Sequence, residues 1–309
     1  MAWSVYDETS PGMPNLLSVN GSGTTLLRTV LPLLGWAVEY GPTGNAAVFR
    51  AAAGNRHRLQ VRHESSLSGD AALGMVRGAH TATSATAVGS PFPNATQAPN
   101  NQATWKFGIP GDPSTPARWK IAGDDRFFHF FSHDPSYGWD WQYFGDVPSD
   151  YSTGYETVCS SRYSSGSPYG STGLGETLYP YPQAMNLAWA RGINGTTIST
   201  YGCKDGRQHP PGRVGNTPAM RGGYQNRVMR EKIGVTCIGS SSTTPNVLGL
   251  IRRGWLPNVW APIHSQIGGV SDGDTFTDSA YDPAANFLVV DSPSYGSLIL
   301  ETTDTWVKP

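Results

Sequence analysis

Apolar residues follow a helical period in one convincing place, close to the start of the chain. Between Thr24 and Leu31 they recur at helical spacing, and Ser22 or Thr24 is placed to cap the first turn. Pro32 lacks the amide hydrogen that a continuing helix uses, so it should end or kink the helix. The pattern predicts one short helix at about 24–31, followed by a strand in the segment WAVEY.

Most of the remaining chain alternates strand patterns with turn residues, as in AVFRAA, HRLQVRHE, ALGMVRGAH and ARWKIAGDD. The segment RFFHFFSHD is the strongest strand candidate. Phe128 and Phe130 point to one face of this strand, whereas Phe127, His129 and Phe131 point to the other. Apolar residues on both faces predict a central strand covered on both sides, with WDWQYFGDV as the next strand of its sheet.

A shift in composition divides the chain. Residues 161–183 are rich in Ser, Gly, Tyr and Pro without periodicity, which predicts a linker or a long exposed loop. We therefore expect a mainly β protein with two sandwich-like or barrel-like halves, residues 1–160 with the short helix and residues 184–309. Long Gly/Ser/Pro-rich loops connect the strands. A single interleaved sandwich is the alternative.

Composition indicates a folded chain with a weakly charged surface. Ten Trp, 14 Tyr and 10 Phe supply the apolar area that disordered chains lack. Charged residues make up 15% of the chain, against roughly 25% in typical globular domains, and the formal net charge is -1. Such a surface suits a subunit that neighbouring subunits cover, and it creates no global field that would attract nucleic acid or an anionic membrane.

The cysteines and the opening residues predict folding in a reducing cytoplasm. Cys159, Cys203 and Cys237 are odd in number and widely spaced, which is typical of reduced cysteines. The opening MAWSVYDETS lacks a basic segment followed by an apolar one, so we expect no export signal. No run approaches the roughly 18 apolar residues that span a bilayer, and we expect no membrane contact.

The sequence offers little catalytic chemistry. It contains no G-x-S-x-G, HExxH, P-loop or Rossmann motif. His129 and His133, with Asp134, form the best metal-like cluster, but side chains four residues apart on a strand are about 13 Å apart.

Two acidic segments, Asp124-Asp125-Arg126 and Asp272-Gly273-Asp274, are typical of turns at strand ends. Asp124 or Asp125 is expected to pair with Arg126 or Arg118. We therefore expect a protein that is not an enzyme and uses no cofactor and no metal.

A loop between residues 203 and 232 carries many cations and few acids. Its arginine content favours ordered contacts with a neighbouring subunit, since guanidinium groups pair well with carboxylates and carbonyls. A solvated loop and contact with nucleic acid phosphates are the alternatives. The candidate interface residues are Lys204, Arg207, Arg213, Arg221, Arg227 and Arg230.

Trp139, Trp141 and Tyr143 share one face of a predicted strand. Aromatic rings in a row can stack on sugars, and the flanking Asp140 and Asp146 could then accept hydrogen bonds from sugar hydroxyls. Packing inside the core produces the same pattern. The three aromatic residues are the one candidate ligand site that the sequence provides, as a possible glycan face.

A series of motifs resembles a group of virion proteins encoded by tailed phages of proteobacteria. The series begins with W-x-x-x-D-E-T-x-P-G and G-P-T-G-N-x-A-V-F-R, continues with W-K-I-A-G-D-D-R-F-F-H-F-F, and includes R-R-G-W-L-P-N-V-W-A-P-I-H and L-E-T-T-D-T-W. The resemblance covers both halves except residues 160–183. It implies a structural role, in the tail or baseplate region, and carries over no catalytic residues.

We expect a virion structural protein that assembles in the host cytoplasm, associates with itself in symmetric copies and binds other tail or baseplate proteins. The loops near 65–100, 160–183 and 203–232 would make the contacts. Two alternatives are a capsid decoration or head-tail joining protein and a carbohydrate-binding host-adhesion module. Copy number separates the first alternative from a tail protein, and the aromatic face is the basis of the second.

Overall fold

The computed structural model describes residues 3–68, 70–92, 103–135, 138–149, 154–160, 187–190, 201–205, 230–237, 251–262, 271–278, 282–292 and 296–303. These residues form a mainly β fold, as predicted, with two helices. The elements in chain order are β1 Ser4–Asp7, α1 Ser22–Leu33, β2 Ala37–Tyr40, β3 Ala46–Arg50, β4 Arg58–Arg62, α2 Ser65–Ser68, β5 Leu73–Ala79, β6 Thr81–Ala82, β7 Val88–Gly89, β8 Ala103–Lys106, β9 Trp119–Gly123, β10 Phe127–Asp134, β11 Gly138–Pro148, β12 Tyr155–Ser160, β13 Leu187–Ala190, β14 Tyr201–Asp205, β15 Arg230–Cys237, β16 Ile251–Pro262, β17 Thr275–Asp278, β18 Asp282–Ser292 and β19 Gly296–Glu301.

Helix α1 confirms the predicted helix but extends it by two residues at each end. Pro32 lies in its last turn, and the helix ends one residue later. The predicted side-chain cap at Ser22 or Thr24 is wrong, because the N-cap residue is Gly21. A distant histidine supplies the missing acceptor instead: the backbone N–H of Gly23 donates to Nδ1 of His63 over 2.9 Å.

A five-stranded antiparallel sheet has the order β2-β3-β4-β5-β8. Helix α1 contributes the buried residues Leu26, Leu27, Val30 and Leu31 to the hydrophobic core that this sheet shares with the larger sheet. The segment 65–100, predicted as a contact loop, contains α2, β5, β6 and β7.

A twelve-stranded antiparallel sheet has the order β1-β9-β10-β11-β12-β13-β14-β15-β16-β19-β18-β17. Strand β10 lies between β9 and β11, which confirms the predicted central strand. Phe128 and Phe130 belong to the first core, and Phe127 and Phe131 to a second core on the opposite face of the sheet. Both faces of β10 are therefore buried.

The large sheet continues across the predicted division of the chain. Strands β12 and β13, on either side of residues 161–183, are paired neighbours. The second core combines Trp3 and Phe127 with Leu256, Val290 and Leu300. Residues 161–183 lie outside the described residues, and the division into two β-rich halves stays a prediction.

Candidate functional site

The structure places the predicted glycan face inside the second core. The fraction of the residue surface that is exposed to solvent is 1% for Trp139, 7% for Trp141 and 1% for Tyr143. Sugar stacking requires an open ring face, so these rings do not provide a sugar platform in this structure. The alternative of core packing describes their environment, since all three belong to the second core.

The polar atoms of these aromatic side chains make internal hydrogen bonds. Trp141 Nε1 donates to Nδ1 of His129 over 3.0 Å, and the hydroxyl of Tyr143 donates to the backbone oxygen of Asp146 over 2.6 Å. Trp139 Nε1 donates to Oδ1 of Asp272 over 3.0 Å. These bonds fix the ring orientations, as expected for buried aromatic side chains with a polar group.

The candidate interface loop is almost entirely outside the described residues. Lys204 lies in β14 and Arg230 begins β15. The other four candidates, Arg207, Arg213, Arg221 and Arg227, fall on residues that the structure does not describe. Subunit contact through this loop therefore stays a prediction.

The metal-like cluster does not come together around one ion. His129 lies in the second core, whereas Asp134 faces the five-stranded sheet and pairs with Lys106. Among the described residues, no group of three or more His, Cys, Asp and Glu side chains could hold a metal ion.

His129 is held as a neutral hydrogen-bonding group. Because the N–H of Trp141 donates to its Nδ1, the ring carries its proton on Nε2 and donates to the backbone oxygen of Pro257 over 2.8 Å. Complete burial lowers the pKa of His129 to about 3. The side chain therefore joins β10 to β16 and is not available as a base near neutral pH.

Surface ion pairs connect three distant segments next to Trp139. Arg118 lies 3.1 Å from Glu8 and 3.1 Å from Asp272, and its guanidinium group sits 5.1 Å from the centre of the Trp139 ring. Asp272 belongs to the predicted turn, in which the backbone N–H of Asp274 donates to the backbone oxygen of Ser271 over 3.0 Å.

The predicted pairing of Asp124 with Arg126 is confirmed, with Nη2 of Arg126 at 2.7 Å from Oδ2 of Asp124.

A second polar group lies where the loop after β3 meets β11 and β12. We call Asn55, His57, Asp146 and Thr157 the sheet-junction cluster. Asp146 accepts from the backbone N–H of Asn55 over 2.7 Å and from the hydroxyl of Thr157 over 2.8 Å. Gly54 allows this approach, because a Cβ at that position would overlap Oδ2 of Asp146. The hydroxyl proton of Thr157 goes to Asp146, so Nδ1 of His57 is the donor in its contact with Thr157.

The Asp146 carboxyl has an unusual proton affinity. Burial raises its pKa to about 6, although the hydrogen bonds from Asn55 and Thr157 and the charge of Arg126 act in the opposite direction. Arg126 is ion-paired to Asp124. A perturbed carboxyl beside a histidine is one mark of a catalytic site. Here Asp146 retains 2% of its surface and both oxygens accept bonds, so the cluster joins structural elements.

A third polar group is buried between the five-stranded and the twelve-stranded sheet. We call Lys106, Asp134 and Asp140 the buried lysine site. Lys106 Nζ lies 2.8 Å from Oδ2 of Asp134 and 2.9 Å from Oδ2 of Asp140. The hydroxyl of Ser132 donates to the backbone oxygen of Lys106 over 3.0 Å, which holds the end of β8 against β10.

Sequence reasoning missed the buried lysine site and the sheet-junction cluster. Lys106 stands between Trp105 and Phe107, and a polar residue between two aromatic ones on a strand predicts a solvent-facing side chain. Its side chain instead enters the space between two sheets. One feature of the sequence could have indicated the site. The chain has few charged residues, so a lysine between two aromatic residues is unusual.

Cys159 is a free cysteine and is fully buried. Burial raises the pKa of its thiol, so it is an unreactive part of the core. In the part of the chain that the structure describes, no helix has the length and apolar character to cross a membrane.

No protein-family model matches this chain. A search of curated proteins also finds no match.

Proposed function

We propose that the chain is a structural component of a tailed-phage virion, located in the tail or baseplate and acting through contacts with other virion proteins. It is not an enzyme under this proposal. The motif resemblance described above supports the virion assignment. The candidate chemical groups support a structural role, because His129, Asp146 and Cys159 are all buried within the fold.

The observation that carries a role in assembly is the open edge of the large sheet at β17. Among the described residues, β17 pairs with β18 on one side only. Thr275 and Thr277 are exposed, whereas Phe276 packs on Phe287 with the ring centres 5.2 Å apart. An exposed strand edge is a template to which a neighbouring chain can add a strand.

The register of β17 shows which backbone groups face outward. Val289 N donates to Asp274 O over 2.9 Å, so the bonded pairs of this antiparallel ladder are 274 with 289 and 276 with 287. The N–H and C=O groups of Thr275 and Thr277 therefore point away from β18. We propose that a neighbouring virion subunit binds these groups.

The location experiment is quantitative mass spectrometry of purified particles from a phage that encodes the chain. We expect the chain in intact particles at the copy number of a tail or baseplate ring. A copy number equal to that of the major capsid protein would overturn the tail location in favour of capsid decoration. Absence from the particles would overturn the proposal.

The contact experiment compares two substitutions at Thr277 of the encoding phage. Thr277→Pro removes an outward N–H and leaves the β17–β18 bonds in place, since proline is tolerated on edge strands. Thr277→Val keeps this N–H and is the matched control. We expect the Pro chain to fold but to be depleted from particles at least ten-fold, and the Val chain to be incorporated normally. Equal incorporation of both chains would exclude the β17 edge as the contact.

A further inference from the structure

The buried lysine site brings one amine and two carboxyl groups together without solvent. Lys106 and Asp140 have no exposed surface, and Asp134 retains 2%. Asp140 is opposite Ser132 in the β10–β11 ladder, and Asp134 is two residues further along β10, so both carboxyl groups lie on the face that meets the five-stranded sheet. Each carboxyl carbon is one bond beyond the oxygen that contacts Nζ. The amine is thus already in contact with both carboxyl groups, so no encounter step has to precede a reaction between them.

We propose that this is a self-modification site, at which Lys106 Nζ condenses with the Asp140 side chain to form an intramolecular amide, an isopeptide bond. Asp134 relays protons. This inference goes beyond the proposed function and does not depend on it.

The reaction is a dehydration that needs no co-reactant. The Lys106 ammonium donates a hydrogen bond to Asp134, and one proton moves along this bond and on to the carboxylate of Asp140. The neutral amine then attacks Cγ of Asp140 and forms the C–N bond. A second nitrogen proton passes through Asp134 to the departing hydroxyl, the C–O bond breaks and water leaves. Asp134 ends in the protonation state in which it began, so atoms and charges balance.

The surroundings favour this reaction over a permanent ion pair. An ammonium and a carboxylate removed from water carry a large desolvation cost, and the amide replaces both with a neutral group. Exclusion of water also hinders hydrolysis of the new bond. The reactants are held on strands of two sheets, with the backbone oxygen of Lys106 fixed by Ser132, so little orientation has to be gained during the reaction.

The roles of the two carboxyl groups follow from their positions. Asp134 is the last residue of β10 and accepts a hydrogen bond from Lys106 Nζ, the arrangement through which a proton moves. Asp140 lies within β11, between paired neighbours. A bond to Asp140 would therefore join β8 of the five-stranded sheet covalently to the central part of the twelve-stranded sheet.

The test is the intact mass of the denatured full-length chain. We expect a mass lower than the sequence mass by one water molecule, and after proteolysis a branched peptide in which Lys106 is joined to Asp140. A chain with the full sequence mass would overturn the proposal. A branch at Asp134 would overturn the assigned roles of the two carboxyl groups.

Three variants complete the test. Lys106→Arg keeps the positive charge but cannot form the amide, so it should show the full mass. Asp134→Asn should slow formation of the bond by about 100-fold or more, because the relay is removed. Lys120→Arg is the matched control, since Lys120 is another buried lysine, 6% exposed, and this variant should still lose one water. If Lys106→Arg does not fold, the wild-type mass alone decides.

Discussion

Asp146 makes the stability of this protein depend on pH in a direction opposite to that of most carboxyl groups. Its folded pKa of about 6 lies above the ordinary value of 3.8, so the folded state binds the proton more tightly than the unfolded state. The stabilising contribution of Asp146 to the free energy of unfolding is therefore complete below about pH 4 and is lost as the pH rises through 6. The shift corresponds to about 3 kcal/mol.

The first prediction concerns Asp146→Asn. The variant cannot titrate at this position, so it does not lose stability through Asp146 as the pH rises. We therefore expect the difference in free energy of unfolding, variant minus wild type, to increase by about 2–3 kcal/mol between pH 4 and 6. Denaturant unfolding of both proteins across this range measures the difference. Parallel stability curves for the two proteins would show that Asp146 does not have a raised pKa in the folded state.

The buried side chain of Gln142 in β11 lowers the stability of the fold. It has no exposed surface, and neither amide atom has a hydrogen-bond partner among the described residues. Gln60 is also buried, at 2% exposure, but its amide donates to Ala85 O over 2.8 Å and accepts from Arg77 Nε over 2.5 Å.

The second prediction uses this pair of glutamines. Gln142→Met should raise the free energy of unfolding by about 1–3 kcal/mol, because it removes an unsatisfied buried amide at nearly constant volume. Gln60→Met should lower the stability by a similar amount, since it removes one partner from two hydrogen bonds. Thermal and denaturant unfolding measure both changes. Destabilisation by both substitutions would mean that the Gln142 amide is satisfied.

Among the elements, helix α1 depends on a side chain from outside itself. His63 accepts from Gly23 N through Nδ1 and donates to Ala71 O through Nε2 over 2.7 Å, so one neutral ring joins the helix to the segment just before β5. Burial lowers the pKa of His63, in accord with this neutral state. The cap is thus a product of the tertiary fold.

The third prediction is that His63→Leu lowers the free energy of unfolding by about 1–3 kcal/mol and speeds hydrogen exchange in the first turn of α1. Thr29→Ala is the control, because Thr29 is on the same helix and its hydroxyl bonds only locally to Thr25 O over 3.1 Å. The control should change stability by less than about 0.5 kcal/mol. Unchanged exchange at residues 22–25 in the His63 variant would contradict the cap.

The elements that sequence analysis predicted are those whose pattern is local. Helix α1 and strand β10 carry their period within about a dozen residues, and β10 shows apolar side chains on both faces because two cores meet there. Trp139 and Trp141 could not be assigned in this way. A row of aromatic rings looks the same whether it faces solvent or a core, and the residues that cover it, such as Leu256 and Leu300, come more than 100 positions later. Lys106 was missed for the same reason, since its carboxyl partners lie on another sheet.

For the whole molecule, the second core contains residues from both predicted halves. Phe127, Phe131 and Trp139 from the first half pack with Val259 and Val290 from the second. A chain that lacked the second half would expose this aromatic face to solvent.

The fourth prediction is that residues 1–160 expressed alone do not form a stable monomer. We expect aggregation, or strong binding of a hydrophobic dye, because the uncovered aromatic side chains would lose about 1.5–3 kcal/mol each. Size-exclusion chromatography and calorimetry compare this fragment with the full chain. A cooperative, monomeric 1–160 fragment would instead support two independent domains.

The pairing of β1 with β9 has a consequence for biosynthesis. Val5 is opposite Ala122, so the first strand has no partner until more than 100 further residues have been translated. At typical rates of synthesis this interval is roughly ten seconds. Trp3, whose ring centre lies 5.5 Å from that of Phe127, belongs to the second core together with Leu300, which is translated later still. The nascent chain is therefore most prone to misassociation while it is still on the ribosome, before the last strands can cover the first.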